Sequence, residues 1–108
     1  MADSRIEHTM LFDFYGELLT EKQREYYDLH YNEDLSLTEI AEQSGVSRQA
    51  VWDIIRRAAA SMEEIEEKTG LIRRFLERNA QIDGIIAGLE QSGVLTESIR
   101  ARLESLKV

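Results

Sequence analysis

Apolar residues recur along this chain at steps of three and four, and no window alternates with the period of two that a half-buried strand requires. The first run, Arg5 to Tyr15, has Ile6, Met10, Phe14 and Leu18 at fourfold spacing with Leu11 beside them, which predicts an amphipathic helix ending near Gly16. Phe12 and Tyr15 fall on its other faces, where they either overhang neighbouring helices or form a partner surface. Thr20 and Gln23 have the spacing of a capping box that opens a second helix through about Tyr31, with Tyr27 and Tyr31 sharing a face with Arg24. Its tyrosines are expected in the core with their hydroxyls at the surface. Asn32 to Leu35 reads as a loop. His30, close to Glu33 and Asp34, reads as solvated surface, and His8 has no evident partner.

Two short helices joined by a tight bend are expected from Leu37 to Ile55. Ser36 and Glu39 form a capping box for the first, with Ile40 and Ala41 facing inward and Ala41 small enough to let the second helix cross close by. Gly45 supplies a bend that needs positive φ, Val46 is expected to plug the space between the helices, and Ser47 caps the next one. Val51 and Ile54 complete the apolar face. Arg48, Gln49, Trp52, Asp53 and Arg56 then point away from it, as the residues of a recognition helix do towards a groove.

Val51, Ile55, Ala58, Met62 and Ile65 continue the three-four rhythm, so the second helix of the motif should run well past it until Gly70 breaks or kinks it. Ile72, Phe75, Asn79, Ile82, Ile86 and Leu89 resume the rhythm in a further helix, with Asn79 either fixing register in an apolar seam or lying at its exposed edge. Gly84 and Gly88 weaken that helix by up to about 1 kcal/mol each, so packing must support it. After a turn at Gln91 to Gly93, Thr96 and Glu97 open a last short helix with Ile99, Leu103 and Leu106 on one face. That helix is too short to stand alone and docks either within the chain or on a second copy.

The expected class is all-α. A helix-turn-helix core of three to four helices without a wing occupies residues 1–66, and residues 67–108 form a helical extension that packs on the same domain or on a second chain. The length of 108 residues, with 43% hydrophobic residues, suits one small core, and zero proline suits long helices. There is no cysteine, and two isolated histidines do not assemble a zinc site, so no metal is expected. No phosphate-cradling glycine loop, nucleophile elbow or His-Glu-x-x-His pattern occurs, which argues against an enzyme and against a cofactor. Neither a signal-like start nor a membrane-length apolar run is present, so the expected location is the cytoplasm.

Charge changes the picture. The net value is −8, and residues 1–46 alone, with eleven acidic and three basic side chains, account for −8. Residues 47–62 carry Arg48, Arg56 and Arg57 against Asp53, a local +2, which makes the recognition helix a basic island. Three arginines release few counterions, so a monomer should bind nucleic acid weakly and a dimer or another partner should help. The acidic run Glu63, Glu64, Glu66 and Glu67 lacks the spacing of a calcium loop and reads as a solvated face that keeps phosphates near the first turns.

Leu19, Gln23, Arg24, Leu29, Ser36, Glu39, Ile40, Ala41, Val46, Ser47 and Val51 make the span Leu19 to Met62 similar to the fourth conserved region of bacterial sigma factors. With MLFDFYGELLT before it and EEIEEKTGLIRRF after it, the whole chain resembles the YlxM-like family of small helix-turn-helix proteins, UPF0122. Members of that family are encoded beside the signal recognition particle GTPase or its receptor, so the resemblance implies a regulatory or accessory role in that pathway. Trp52 and Asp53 stand where sigma-like domains often carry lysine or arginine, and Asp53 would repel phosphate.

Two functions follow. One is a nucleic-acid-binding regulator, in which Ser47, Arg48, Gln49, Arg56 and Arg57 meet phosphates and base edges of DNA or of the particle's RNA around Trp52 as apolar anchor. The other is an adaptor that keeps the motif as scaffold and grips the GTPase, its receptor or its own copy. A homodimer is expected from the interrupted seams and the surplus aromatics.

Overall fold

A computed structural model describes residues 4–107. All regular structure among them is helical: α1 (Ser4–Tyr15), a 3-10 turn (Gly16–Leu18), α2 (Glu21–Tyr31), α3 (Leu37–Ser44), α4 (Arg48–Thr69), α5 (Leu71–Gln91) and α6 (Glu97–Glu104). The chain divides into two compact units between Thr69 and Gly70.

The first unit is organised around α4, which packs on α1, α2 and α3. Val51, Ile55, Ala58 and Met62, at steps of four, three and four, are all 0% exposed, as expected for one face of a helix with about 3.6 residues per turn. Tyr26 and Tyr27 of α2, Ile40 and Ala41 of α3, and Leu11 and Tyr15 of α1 complete this core. Capping boxes start α2 and α3 where the sequence indicates. Thr20 Oγ1 accepts from Gln23 N at 3.2 Å while Gln23 Oε1 accepts from Thr20 N at 3.0 Å. The Ser36–Glu39 box repeats this at 3.0 and 2.9 Å.

The inward face of α1 differs from the one its fourfold spacing suggests. Ile6 and Leu18 are 60% and 69% exposed, whereas Leu11 and Tyr15 are buried and Phe12 stacks on Tyr27 with ring centroids 5.5 Å apart. Steps of four advance about 40° per residue pair beyond a full turn, so a run of them drifts off any one face, while 8, 11, 12 and 15 stay together. His8 is also partnered, stacking on Tyr31 at 4.3 Å and 5°. His30 is not simply solvated. Its Nδ1–H donates to Leu35 O at 2.8 Å and pins the loop that leads into α3.

The tyrosine hydroxyls are more internal than expected. Tyr27 donates to His8 O at 2.8 Å, and burial, reinforced by the charges of Tyr31 and Glu63, keeps its proton on well above the ordinary tyrosine range. Tyr15 donates to Glu66 Oε1 at 2.5 Å and meets Thr69 Oγ1 at 2.8 Å, tying the end of α1 to the end of α4. Tyr26 Oη is shielded from solvent with no hydrogen-bond partner.

In the second unit, α5 buries Ile82 and Ile86 and α6 packs on α5. Thr96 Oγ1 accepts from Ile99 N at 3.1 Å to start α6. Ion pairs then fasten α6 and the residues just after it to α5: Arg100 to Glu90 at 2.6 Å, and Lys107 to Asp83. No residue of α6 is buried. The amide oxygen of Asn79 is out of solvent and unpartnered, so this residue is not the simple exposed edge of its seam.

Candidate nucleic-acid interface

The bend between α3 and α4 is set by Gly45 at φ 69°, the left-handed region that a side chain reaches only with strain. Gly45 N donates to Ala41 O at 2.9 Å, closing α3. Val46, 39% exposed, sits at the rim of the bend instead of plugging it. Ser47 Oγ then accepts from Ala50 N at 3.0 Å and starts α4, so this hydroxyl is already engaged as a cap. Its partner is the helix whose free amides and dipole favour an anion at this end.

Beyond the cap, Arg48, Gln49, Arg56 and Arg57 are exposed and Trp52 is 38% exposed. They do not form one patch. Arg48, Gln49 and Trp52, with Leu37 from the first turn of α3, line a shallow hollow of about 570 Å³. On a second side Trp52 and Arg56 join His8 of α1, Tyr31 of α2 and Glu63 of α4 around a smaller groove of about 230 Å³. Trp52 is the wall shared by both. Arg57 lines neither, lying about 100° round the helix from Arg56.

Asp53 links the face together in a way its charge alone does not suggest. Its Oδ1 accepts from Gln49 Nε2 at 3.3 Å and pairs with Arg56 Nη2 at 3.5 Å, along one side of α4. The carboxylate thus orients a glutamine and an arginine while neutralising part of the positive charge of this face. Glu63 lies two turns beyond Arg56, and its charge, after burial, raises the Tyr31 hydroxyl above its ordinary range. Sequence reasoning missed the groove that His8 and Tyr31 line together with Trp52. These three residues come from three helices, and only the tertiary packing of α1 and α2 on α4 brings them together. Among the described residues no group of three or more His, Cys, Asp or Glu side chains is placed to hold a metal ion, and no helix is long and apolar enough to cross a membrane.

A capped helix, a left-handed glycine bend and a second capped helix packed across the first, within an all-helical chain, define a helix-turn-helix protein. Residues 2–102 match the family described as "Putative helix-turn-helix protein, YlxM / p13 like", and the chain belongs to that family, UPF0122. A UPF0122 protein of Listeria innocua is 46% identical over 98 residues, covering 91% of this chain and 89% of the relative. One from Halalkalibacterium halodurans is 45% identical over 106 residues, 98% of this chain and 96% of the relative. Another, from Thermoanaerobacter sp., is 47% identical over 90 residues, 83% and 77% of the two chains.

Proposed function

We propose that the first half of α4 binds nucleic acid, DNA or the RNA of the signal recognition particle, and that the protein is a cytoplasmic regulator in that pathway. The observation that carries this reading is the bend at Gly45, after which Arg48, Gln49, Trp52 and Arg56 stand exposed on a stretch whose net charge is positive although the 46 residues before it are strongly acidic. Arg48 and Arg56 meet phosphates, Gln49 reaches a base edge, and Trp52 supplies apolar contact. The pathway rests on the resemblance to YlxM-like proteins and their position beside the particle's GTPase or receptor. The test is a mobility shift at low and high salt on both nucleic acids. Binding that weakens with salt, and that is abolished by Arg48→Glu with Arg56→Glu, is expected. No shift on either at low salt sinks the reading.

The net charge of −8 and the Asp53–Arg56 pair favour a second reading, an adaptor in which Trp52 contacts the particle's GTPase or receptor. Capture of the purified GTPase that survives the double arginine change would select it over the first. In either role the protein acts as a homodimer, with residues 67–108 supplying the contact between copies. Leu71, Leu76 and Ile85 of α5, about half exposed, support this. A monomeric mass by light scattering at micromolar concentration excludes it.

A further inference from the structure

We propose that the stripe Arg74, Arg78 and Gln81 on α5 is a second surface for the phosphate backbone of the nucleic acid that α4 binds. This goes beyond the reading above and rests on it. The three residues follow at steps of four and three, so they lie within about 60° of one another round the helix and about 10 Å along it. All three are exposed. The stripe is about a quarter-turn round from Ile82 and Ile86, which are buried, so α5 gives its apolar side to its own unit and this side to solvent.

The charge of this stretch is not cancelled along it. Residues 71–81 carry Arg73, Arg74 and Arg78 against Glu77, a local +2 equal to that of residues 47–62, in a chain of net −8. Glu77 is matched by Arg73 at 3.9 Å, and the other carboxylates of α5 are held elsewhere, Asp83 by Lys107 and Glu90 by Arg100. Among the described residues Arg78 enters no ion pair. On α4, by contrast, Arg56 shares its charge with Asp53 and Arg57 lines neither hollow, so few phosphates are neutralised there. Each phosphate neutralised adds about one unit of counterion release, and two arginines on α5 add about two. A carboxylate on another protein also accepts from a guanidinium, but an exposed pair of that kind is worth about 0–1 kcal/mol and releases no condensed ions. The arginine fork matches phosphate oxygens as well as it does a carboxylate. Being made to the backbone, the contact carries no base sequence.

The test is the salt dependence of binding by the full-length protein to a DNA duplex and to an RNA hairpin of matched length. Arg74→Gln with Arg78→Gln keeps helix propensity and changes only exposed positions. On whichever ligand the unaltered protein binds, the plot of log affinity against log salt should become shallower by about two, with roughly tenfold weaker binding at low salt and the same loss on two unrelated base sequences. A control of equal charge, Lys68→Gln with Arg102→Gln, also at exposed positions, should leave the slope nearly as it was. An unchanged slope in the α5 variant, with binding abolished by Arg48→Glu and Arg56→Glu, overturns the second surface and leaves the reading of α4 standing. An equal loss in the control reduces the effect to net charge and overturns the surface too. A loss that depends on base sequence overturns the backbone contact, and a mass by light scattering that changes in the α5 variant without nucleic acid assigns the arginines to a contact between copies instead. Failure of the unaltered protein to bind either ligand at low salt defeats the nucleic-acid reading itself, and this inference with it.

Discussion

In the unit that ends at Thr69, α4 shields Val51, Ile55, Ala58 and Met62 completely, whereas α5, almost as long, buries only Ile82 and Ile86 and leaves Leu71, Leu76 and Ile85 about half exposed. Both helices follow the same three-four rhythm, so rhythm alone does not decide burial. What differs is the supply of partners. Helix α4 is packed by three helices with large side chains, while the helix that packs on α5, α6, has eight residues and buries none of them. A unit of under 40 residues from Gly70 onward is near the size where a single core rarely suffices and association is a common remedy. The first unit therefore carries the candidate site on a long helix whose apolar seam is fully packed, whereas the long helix of the second leaves part of its apolar surface uncovered.

The largest expected effect separates the two directly. Ile55→Ala should lower unfolding free energy by about 2–5 kcal/mol, since the cavity left in a fully shielded site collapses only in part. Ile85→Ala, at 50% exposure, should change the denaturation midpoint of the dilute protein little. A comparable loss for Ile85→Ala, growing with protein concentration, would show that α5 has its core in a second copy.

Within the first unit two adjacent tyrosines sharpen the same contrast at the level of single atoms. Tyr27 donates to His8 O, so Tyr27→Phe leaves a carbonyl unpaired and should cost about 1 kcal/mol or somewhat more. Tyr26 Oη is shielded without a partner, so Tyr26→Phe removes an unsatisfied group and should be neutral or stabilising. Equal losses in thermal melts would mean that the Tyr26 hydroxyl is satisfied in solution.

Glycines divide along the same line. Gly45→Ala should cost about 1–2 kcal/mol, because alanine must take the left-handed conformation at φ 69°. At Gly84 and Gly88 of α5 an added methyl meets nothing within 4 Å, so alanine should gain up to about 1 kcal/mol each from helix propensity alone. If Gly84→Ala instead dissociates a dimer by light scattering, that open surface is where two copies approach.

The parts of this fold that were legible in the sequence are those with local causes. The boxes at Thr20 and Ser36, the bend at Gly45 and the break at Gly70 each depend on residues within a few positions, and each stands where the sequence puts it. The seam of α4 was legible because its steps alternate. Helix α1 was misread because fourfold steps look regular in a line but rotate around a cylinder, and its true face, with Leu11 and Tyr15, is decided by what α2 and α4 offer it. The exposed face of Arg48, Gln49, Trp52 and Arg56 followed from the same periodicity. The groove on the other side of Trp52 did not, because His8 and Tyr31 lie 44 and 21 positions away in the chain and no local pattern relates them to α4. Nor did the hydrogen bond that Gln49 donates to Asp53, since helical spacing permits an i to i+4 contact without saying which of several partners is taken.

The smallest expected effects are in pH, where the two units should loosen at opposite ends of the scale. Glu39 is held below the usual carboxylate range by the hydrogen bonds it exchanges with Ser36. A lowered folded value means that the box contributes fully above the unfolded pKa, near 4.5, and fades as pH falls through the folded one. Lys107 is raised above its ordinary 10.5 by Asp83 and Glu104, so its contribution is complete below that value and fades as pH rises through the folded one. Glu39 is exposed and Lys107 half-buried at the surface among its carboxylates, which keeps each effect local and small. Backbone amide signals should therefore shift at Ser36 and the start of α3 on acidification, and along α6 on alkalinisation, with Glu39→Gln and Lys107→Gln removing the respective responses. An acid response at α6 that survives Glu39→Gln would mean that the second unit depends on acid-sensitive pairing as much as the first.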